Sequence, residues 1–170
     1  TIGGVASDNH VLTAVGLTVV AAPALVSGGI ALAGGLATGA VFTAVTGGVT
    51  VFAGLGTAAF ASAEYQTVFT GENWVLNTGM SENLYYGLML TTASIATLGT
   101  IASSISYNFN IKSINQIGRY GKGNFYGMKF TTGTGKTRVL SFHTHCHNTG
   151  PQGIFGYHWQ LQKWNPLTNN

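Results

Sequence analysis

Between Asp8 and Glu64 this chain contains no Asp, Glu, Lys or Arg. A helix lying on the surface of a water-soluble domain needs a polar face. The stretch VLTAVGLTVVAAPALVSGGIALAGGLATGAVFTAVTGGVTVFAGLGTAAFAS has only Thr, Ser and Gly to build one. A bilayer span takes about 20 predominantly apolar residues, so the run accommodates two helices, 11–32 and 36–62, with a turn near Gly34-Gly35. Gly35 and Gly39 are spaced as GxxxG, and the surrounding Gly, Ala, Ser and Thr permit the close approach by which membrane helices associate. The abundant Thr, the glycines inside the helices and the lack of flanking Lys or Arg anchors leave a soluble Gly/Ala hairpin as the other reading. No basic residue precedes the run, so it does not read as a cleavable signal peptide. A chain opening on Thr1 rather than Met reads as the excised or processed end of something longer.

Charged residues make up only 6% of the 170, against about 25% in ordinary globular chains, and they are segregated. The four acids are Asp8, Glu64, Glu72 and Glu82; the seven bases are Lys112, Arg119, Lys122, Lys129, Lys136, Arg138 and Lys163. An acidic first part and a basic second part point to nucleic acid or another anionic surface as partner of the second; simple solubility of a short basic domain is the plainer reading. The single cysteine, Cys146, excludes an internal disulfide.

Residues 62–83 form a polar interval holding three of the four acids. Ser81 is placed to cap a new helix, with Glu82 in its first turn where the helix dipole favours an anion. That helix, 84–104, is again uncharged and should pack on the hairpin as a third apolar partner. After Ser106 the texture changes to Asn, Lys, Gly and aromatic residues, which divides the chain into a hydrophobic helical region, 1–104, and a basic module, 105–170. Ile111, Ile114 and Ile117, three apart, predict a short amphipathic helix over 111–123 ending at Gly118. Three strands follow, 125–132, 137–145 and 157–164, rich in β-branched and aromatic residues. The expected class is therefore α+β: a Gly/Ala-rich helical hairpin plus a third apolar helix, then a short helix and a small antiparallel sheet. Gly133-Thr134-Gly135-Lys136-Thr137 superficially resembles a phosphate loop, but Phe130 stands where that motif requires Gly, and a turn between two strands accounts for it better.

Side chains alternate across a strand, which sorts the module into two faces. Tyr126, Met128, Phe130, Leu140, Phe142, Tyr157, Trp159 and Leu161 form the expected packed face. Lys129, Thr131, Ser141, His143, His145, His158, Gln160 and Gln162 form the expected open face and the candidate site. Two imidazoles titrating near neutrality supply the acid and base for phosphodiester cleavage through a ribose 2′-hydroxyl, with Lys or Arg holding the phosphate; this chemistry requires no cofactor. No carboxylate side chain follows Glu82, which disfavours acidic-pair mechanisms and carboxylate-held Mg²⁺. The rival readings are a Zn²⁺ site on His143, His145 and His158 with water, from which Cys146 would turn away, and histidines that merely line a hairpin. Aromatic residues interleave the bases, as in single-stranded nucleic-acid binders.

The layout, a hydrophobic helical segment followed by RYGKGNFYGMKF, TRVLSFHTHCH and GYHWQLQKWNP, resembles the C-terminal region of bacterial polymorphic toxins of the contact-dependent, Rhs and LXG kinds. The resemblance spans the chain, more tellingly over 119–166. It implies a secreted effector acting in the target-cell cytoplasm, with a small toxin module similar to barnase, EndoU, colicin and RelE-like ribonucleases. The implied partners are an RNA substrate, a cognate immunity protein, a chaperone or secretion-system component, and a membrane contacted or crossed through 11–62. Roles carried over are acid–base catalysis for His143, His145 and His158, substrate binding for Lys122, Lys129, Arg138 and Lys163, and polar positioning for Gln160. Arg138 falls on the packed-face parity, and the missing catalytic Glu departs from the barnase-like pattern. A membrane-active effector, with glycine-packed helices forming a pore and the sheet as a regulatory or immunity-binding cap, is the alternative.

Overall fold

A computed structural model describes residues 2–120, 125–143, 146–147, 154–155, 158–165 and 167, with backbone alone at 2–8, 120, 125, 143, 146–147, 154–155 and 158. Three long helices, α1 (Ile2–Thr38), α2 (Val41–Thr70) and α3 (Glu82–Asn108), precede the strands β1 (Ile111–Tyr120), β2 (Phe125–Thr132), β3 (Thr137–His143), β4 (Cys146–His147), β5 (Ile154–Phe155) and β6 (His158–Lys163). The class is α+β, with β1, β2, β3 and β6 in one antiparallel sheet and β4 paired with β5.

The helices pack through small residues. Buried positions in α1, Ala14, Leu17, Ala21, Ala24, Gly28, Ala31 and Gly35, step alternately by three and four, as do Thr43, Gly47, Thr50, Gly54, Thr57, Ala61 and Glu64 in α2. That period makes the seam of a left-handed helix pair. A Cβ at Gly28 would stand 2.9 Å from the Val51 backbone nitrogen, and one at Gly35 or Gly47 would collide with the backbone of Ala44 or Leu32. Helix α3 adds Tyr85, Met89, Ala96, Ser103 and Ser106 to the interior.

The usual distribution of polarity is inverted. Thr50, Thr57 and Ser103 are fully buried, their hydroxyls satisfied by Thr50 donating to the Thr46 carbonyl at 2.8 Å, Thr57 to that of Ala53 at 2.8 Å, and a 2.8 Å Thr50–Ser103 hydroxyl pair. Apart from a buried cluster of Leu17, Phe60, Val75, Tyr85 and Met89, most large apolar side chains point outward: Leu12 is 71% exposed, Phe52 80% and Leu98 67%. All three helices are long and apolar enough to cross a membrane.

The hairpin turns at Gly39-Ala40 rather than near Gly34-Gly35. Gly39 adopts φ 66°, a left-handed conformation that ends α1, and Ala40 N–H donates to the Gly35 carbonyl at 2.8 Å. Gly35 thus stays in the packed seam while Gly39 leaves it. Helix α2 continues through the first part of the expected polar interval to Thr70, because Ala63 and Glu64 turn inward. Ser81 caps α3 as expected, its hydroxyl accepting from the Leu84 N–H at 3.4 Å.

The expected short helix over 111–123 is instead strand β1, described to Tyr120. Register shifts between Ile111 and Ser113 and between Ile114 and Gln116 each insert one extra residue. Ile111, Ile114 and Ile117 therefore face Thr132, Phe130 and Met128 of β2. A three-residue spacing on the bulged strand matches a two-residue spacing on its partner, and so imitates helical periodicity. Strand β2 has the expected bounds, β3 and β6 lie within theirs, and 133–136 is the expected turn, with Gly135 at φ 78°.

At the junction, Thr43 donates to the Ser106 carbonyl at 3.1 Å and the Ile111 carbonyl at 2.8 Å, and Gly133 N–H donates to that of Asn110 at 2.6 Å. The sheet thereby meets the bundle through β1 and the Phe109–Phe130 ring pair, 6.1 Å apart. This end-on docking corrects the expected assignment of faces. On the supposedly packed face Phe130 is buried and Met128, Leu140 and Phe142 are half-buried, while Tyr126, Trp159 and Leu161 are exposed; Ser141, expected on the open face, is buried, as is Val139 two residues before it. Tyr157 lies outside the described residues.

Gly47→Val should cost about 1–3 kcal/mol or more by forcing α1 from α2, whereas Gly16→Ala, where nothing lies within 4 Å of the new methyl, should gain up to about 1 kcal/mol. Denaturation in detergent micelles followed by circular dichroism separates them; equal effects would contradict the seam.

Candidate functional site

In the sheet, β3 pairs with β6 so that Ser141 opposes Gln160 and His143 opposes His158. Ser141 Oγ donates to the Gln160 carbonyl at 3.5 Å. The side chains of His143 and His158, and the whole of His145 and Lys122, lie outside the described residues, as does the geometry of the Zn²⁺ alternative. Lys129 is half-buried, its Nζ 4.3 Å from the centroid of the Trp164 ring, and it pairs with Val139 in register.

Arg138 and Lys163 oppose one another across β3 and β6, in step with Leu140↔Leu161 and Phe142↔Trp159. Strand alternation puts these two bases on the apolar face, apart from Ser141, Gln160 and Lys129. The substrate-binding set expected from the sequence is therefore split between two faces. Lys136 and Arg138 also line a recess of about 390 Å³ of mixed character, with Asn108, Phe109, Asn110, Thr132, Thr134 and Leu161, where the sheet meets α3.

A second polar centre escaped the sequence reading. Glu64, 1% exposed, receives a hydrogen bond from the Tyr85 hydroxyl at 2.7 Å and is paired with His10 Nδ1 at 2.5 Å. Asn73, itself buried, accepts the backbone N–H groups of Val75 and Leu76 on its side-chain oxygen at 3.0 and 3.1 Å. One residue from each helix thus joins this cluster, at the end of the bundle remote from the sheet. Its sequence signal is slight: His10 and Glu64 stand at opposite ends of the same uncharged run. A buried carboxylate held by a phenol and an imidazole ties α1, α2 and α3 together, because removing one partner leaves the others unsatisfied in an apolar interior.

The exposed side of the sheet carries an open, almost wholly apolar hollow of about 830 Å³, lined by Ile117, Tyr126, Met128, Leu140, Phe142 and Trp159 and reached by Ile105 of α3. The Phe142 and Trp159 rings pack with centroids 5.2 Å apart. Comparison with protein-family models, characterised proteins and solved structures yields no match.

His10→Leu should destabilise the bundle by about 1–3 kcal/mol, because it leaves a Glu64 carboxyl oxygen buried without its hydrogen-bond partner, and adding Glu64→Met in the same chain should recover most of that loss. Denaturant titration in micelles tests this; a double variant no more stable than His10→Leu alone would contradict the coupling.

Proposed function

We propose that this chain is the membrane-inserting end of a secreted bacterial effector, whose three helices enter a bilayer as a small-residue bundle and hold the basic sheet module at one membrane face. The inverted polarity of the helices is the observation that carries this reading. In water, Leu12, Phe52, Leu98 and their neighbours would present an apolar exterior far beyond an ordinary monomer's patches; in lipid, that exterior is solvated and small-residue seams are the expected packing. The 27 residues of α3 extend about 40 Å at 1.5 Å per residue, enough to span a hydrocarbon core of about 30 Å.

Charge supplies the orientation. All four acids lie at or beyond the helix ends remote from the sheet, and all seven bases follow α3, beginning with Lys112. Under the positive-inside rule the sheet faces the cytoplasm, which is where the toxin resemblance puts its target.

Metal-independent RNA cleavage by the sheet module is the second reading, favoured by the opposed positions of His143 and His158 beside Ser141 and Gln160. It is compatible with the first: the helices would deliver or tether what the sheet cleaves with. An immunity protein would then act by covering the module.

Expression of the whole chain in bacteria tests both. The protein should remain with the membrane after alkaline extraction, and Phe52→Arg with Leu98→Arg, each costing about 2.5–3.5 kcal/mol near a helix centre, should release it; a wild-type chain recovered in the soluble fraction would contradict insertion. RNA loss abolished by His158→Ala and resistant to a chelator would support the nuclease reading, whereas intact RNA with collapsed membrane potential would assign toxicity to the helices.

A further inference from the structure

The apolar hollow on the sheet is not isolated from the helices. Leu98, Ile101 and Ile105 follow the three-and-four spacing of one α3 face, all three are exposed, and Ile105 forms the wall of the hollow. Through Ile105 the outward apolar stripe of α3 meets, in this hollow, Ile117, Tyr126 and Trp159, which are 76%, 63% and 66% exposed. Toward the helix junction the same sheet face ends in Arg138 and Lys163, and Arg119 pairs with Tyr126 at its other end. An apolar surface bearing a Trp and a Tyr and flanked by bases matches the bilayer interface: aromatic rings settle at headgroup depth, and long basic side chains lay their stems on the apolar surface while their charges reach anionic headgroups.

We infer that this sheet face is a lipid-contacting surface that lies on the anionic leaflet at the sheet end of the bundle, so that the module is seated on the membrane with its opposite face, which carries Lys129, Ser141 and Gln160, turned away from the lipid. The inference rests on the insertion of the helices proposed above. Continuity with α3 and the basic flanks select lipid as the occupant, since a protein partner would have no need of a surface that merges with the outward stripe of a spanning helix.

The test uses the full chain with Cys146→Ser, reconstituted in vesicles of phosphatidylcholine and phosphatidylglycerol and carrying one environment-sensitive fluorophore on a new cysteine. The positions are Leu98→Cys on the helix, Ile117→Cys and Trp159→Cys on the sheet face, and Asn115→Cys as an exposed site bonded to Thr131 on the other face. Probes at 98, 117 and 159 should be quenched several-fold by lipids carrying an acyl-chain spin label and shielded from aqueous iodide, with the reverse at 115. Arg138→Glu with Lys163→Glu should reduce lipid quenching at 117 and 159 in anionic vesicles and leave 98 unchanged. Quenching at 98 but iodide access at 117 and 159 would overturn the seated sheet while leaving the spanning helices intact. Shielding at 117 and 159 from both quenchers would show a protein covering the face and overturn it equally. Absence of lipid quenching at 98 would remove the insertion reading and this inference with it.

Discussion

Everything in this molecule depends on how closely α1 and α2 approach. Where Gly28 crosses Gly47 and Gly35 crosses Ala44, there is no room for a side chain, so the seam from Ala21 to Gly35 is built of Gly and Ala against Gly, Ala and Thr. Small residues inside leave most Val, Leu and Phe side chains outward, the large ones that stay inside, Leu17, Phe60, Val75, Tyr85 and Met89, gathering in one cluster. In water that arrangement would forfeit most of the hydrophobic contribution to folding; in a bilayer, close van der Waals packing and interhelical hydroxyl bonds such as Thr50–Ser103 are the stabilising terms available. The inverted surface is thus the consequence of the seam and a statement about solvent.

The bundle has two different ends. One is closed by the Glu64 carboxylate with His10 and Tyr85, a polar lock made from all three helices. The other is closed by Thr43, whose hydroxyl bonds the Ser106 and Ile111 carbonyls as the chain passes from helix to strand. The first end collects the acids and the second leads into the bases, so the orientation proposed for the bundle and the placement of the sheet rest on one arrangement. The sheet meets the bundle end-on and much of its apolar face remains uncovered, while Val139 and Ser141 on the other face are buried.

Much of this could be read from residues alone. An uncharged run longer than two spans, a Ser-Glu helix start and a Gly-rich turn between strands each have a local physical cause, and helices, cap and turn are found accordingly. The failures share a different cause. Ile111, Ile114 and Ile117 imitate a helix because two bulges stretch their spacing, and bulges depend on the partner strand. Gly39 belongs to a turn rather than to the packed seam because of a left-handed conformation that spacing does not reveal. His10 and Glu64 are more than fifty residues apart, and only the crossing of α1 and α2 brings them together. Parity sorted Arg138 away from Ser141 and Gln160 correctly, yet alternation alone does not say which face is covered, and Val139 and Ser141 are buried.

The central claim is that the three helices stand across a bilayer with their large apolar side chains in lipid. Polarised infrared spectroscopy of the full chain in aligned bilayers measures it most directly. The account predicts helical amide dichroism corresponding to axes within about 40° of the membrane normal, with a mean tilt near 20°. Helix axes lying in the membrane plane, or an isotropic signal from protein that never enters the bilayer, would contradict it.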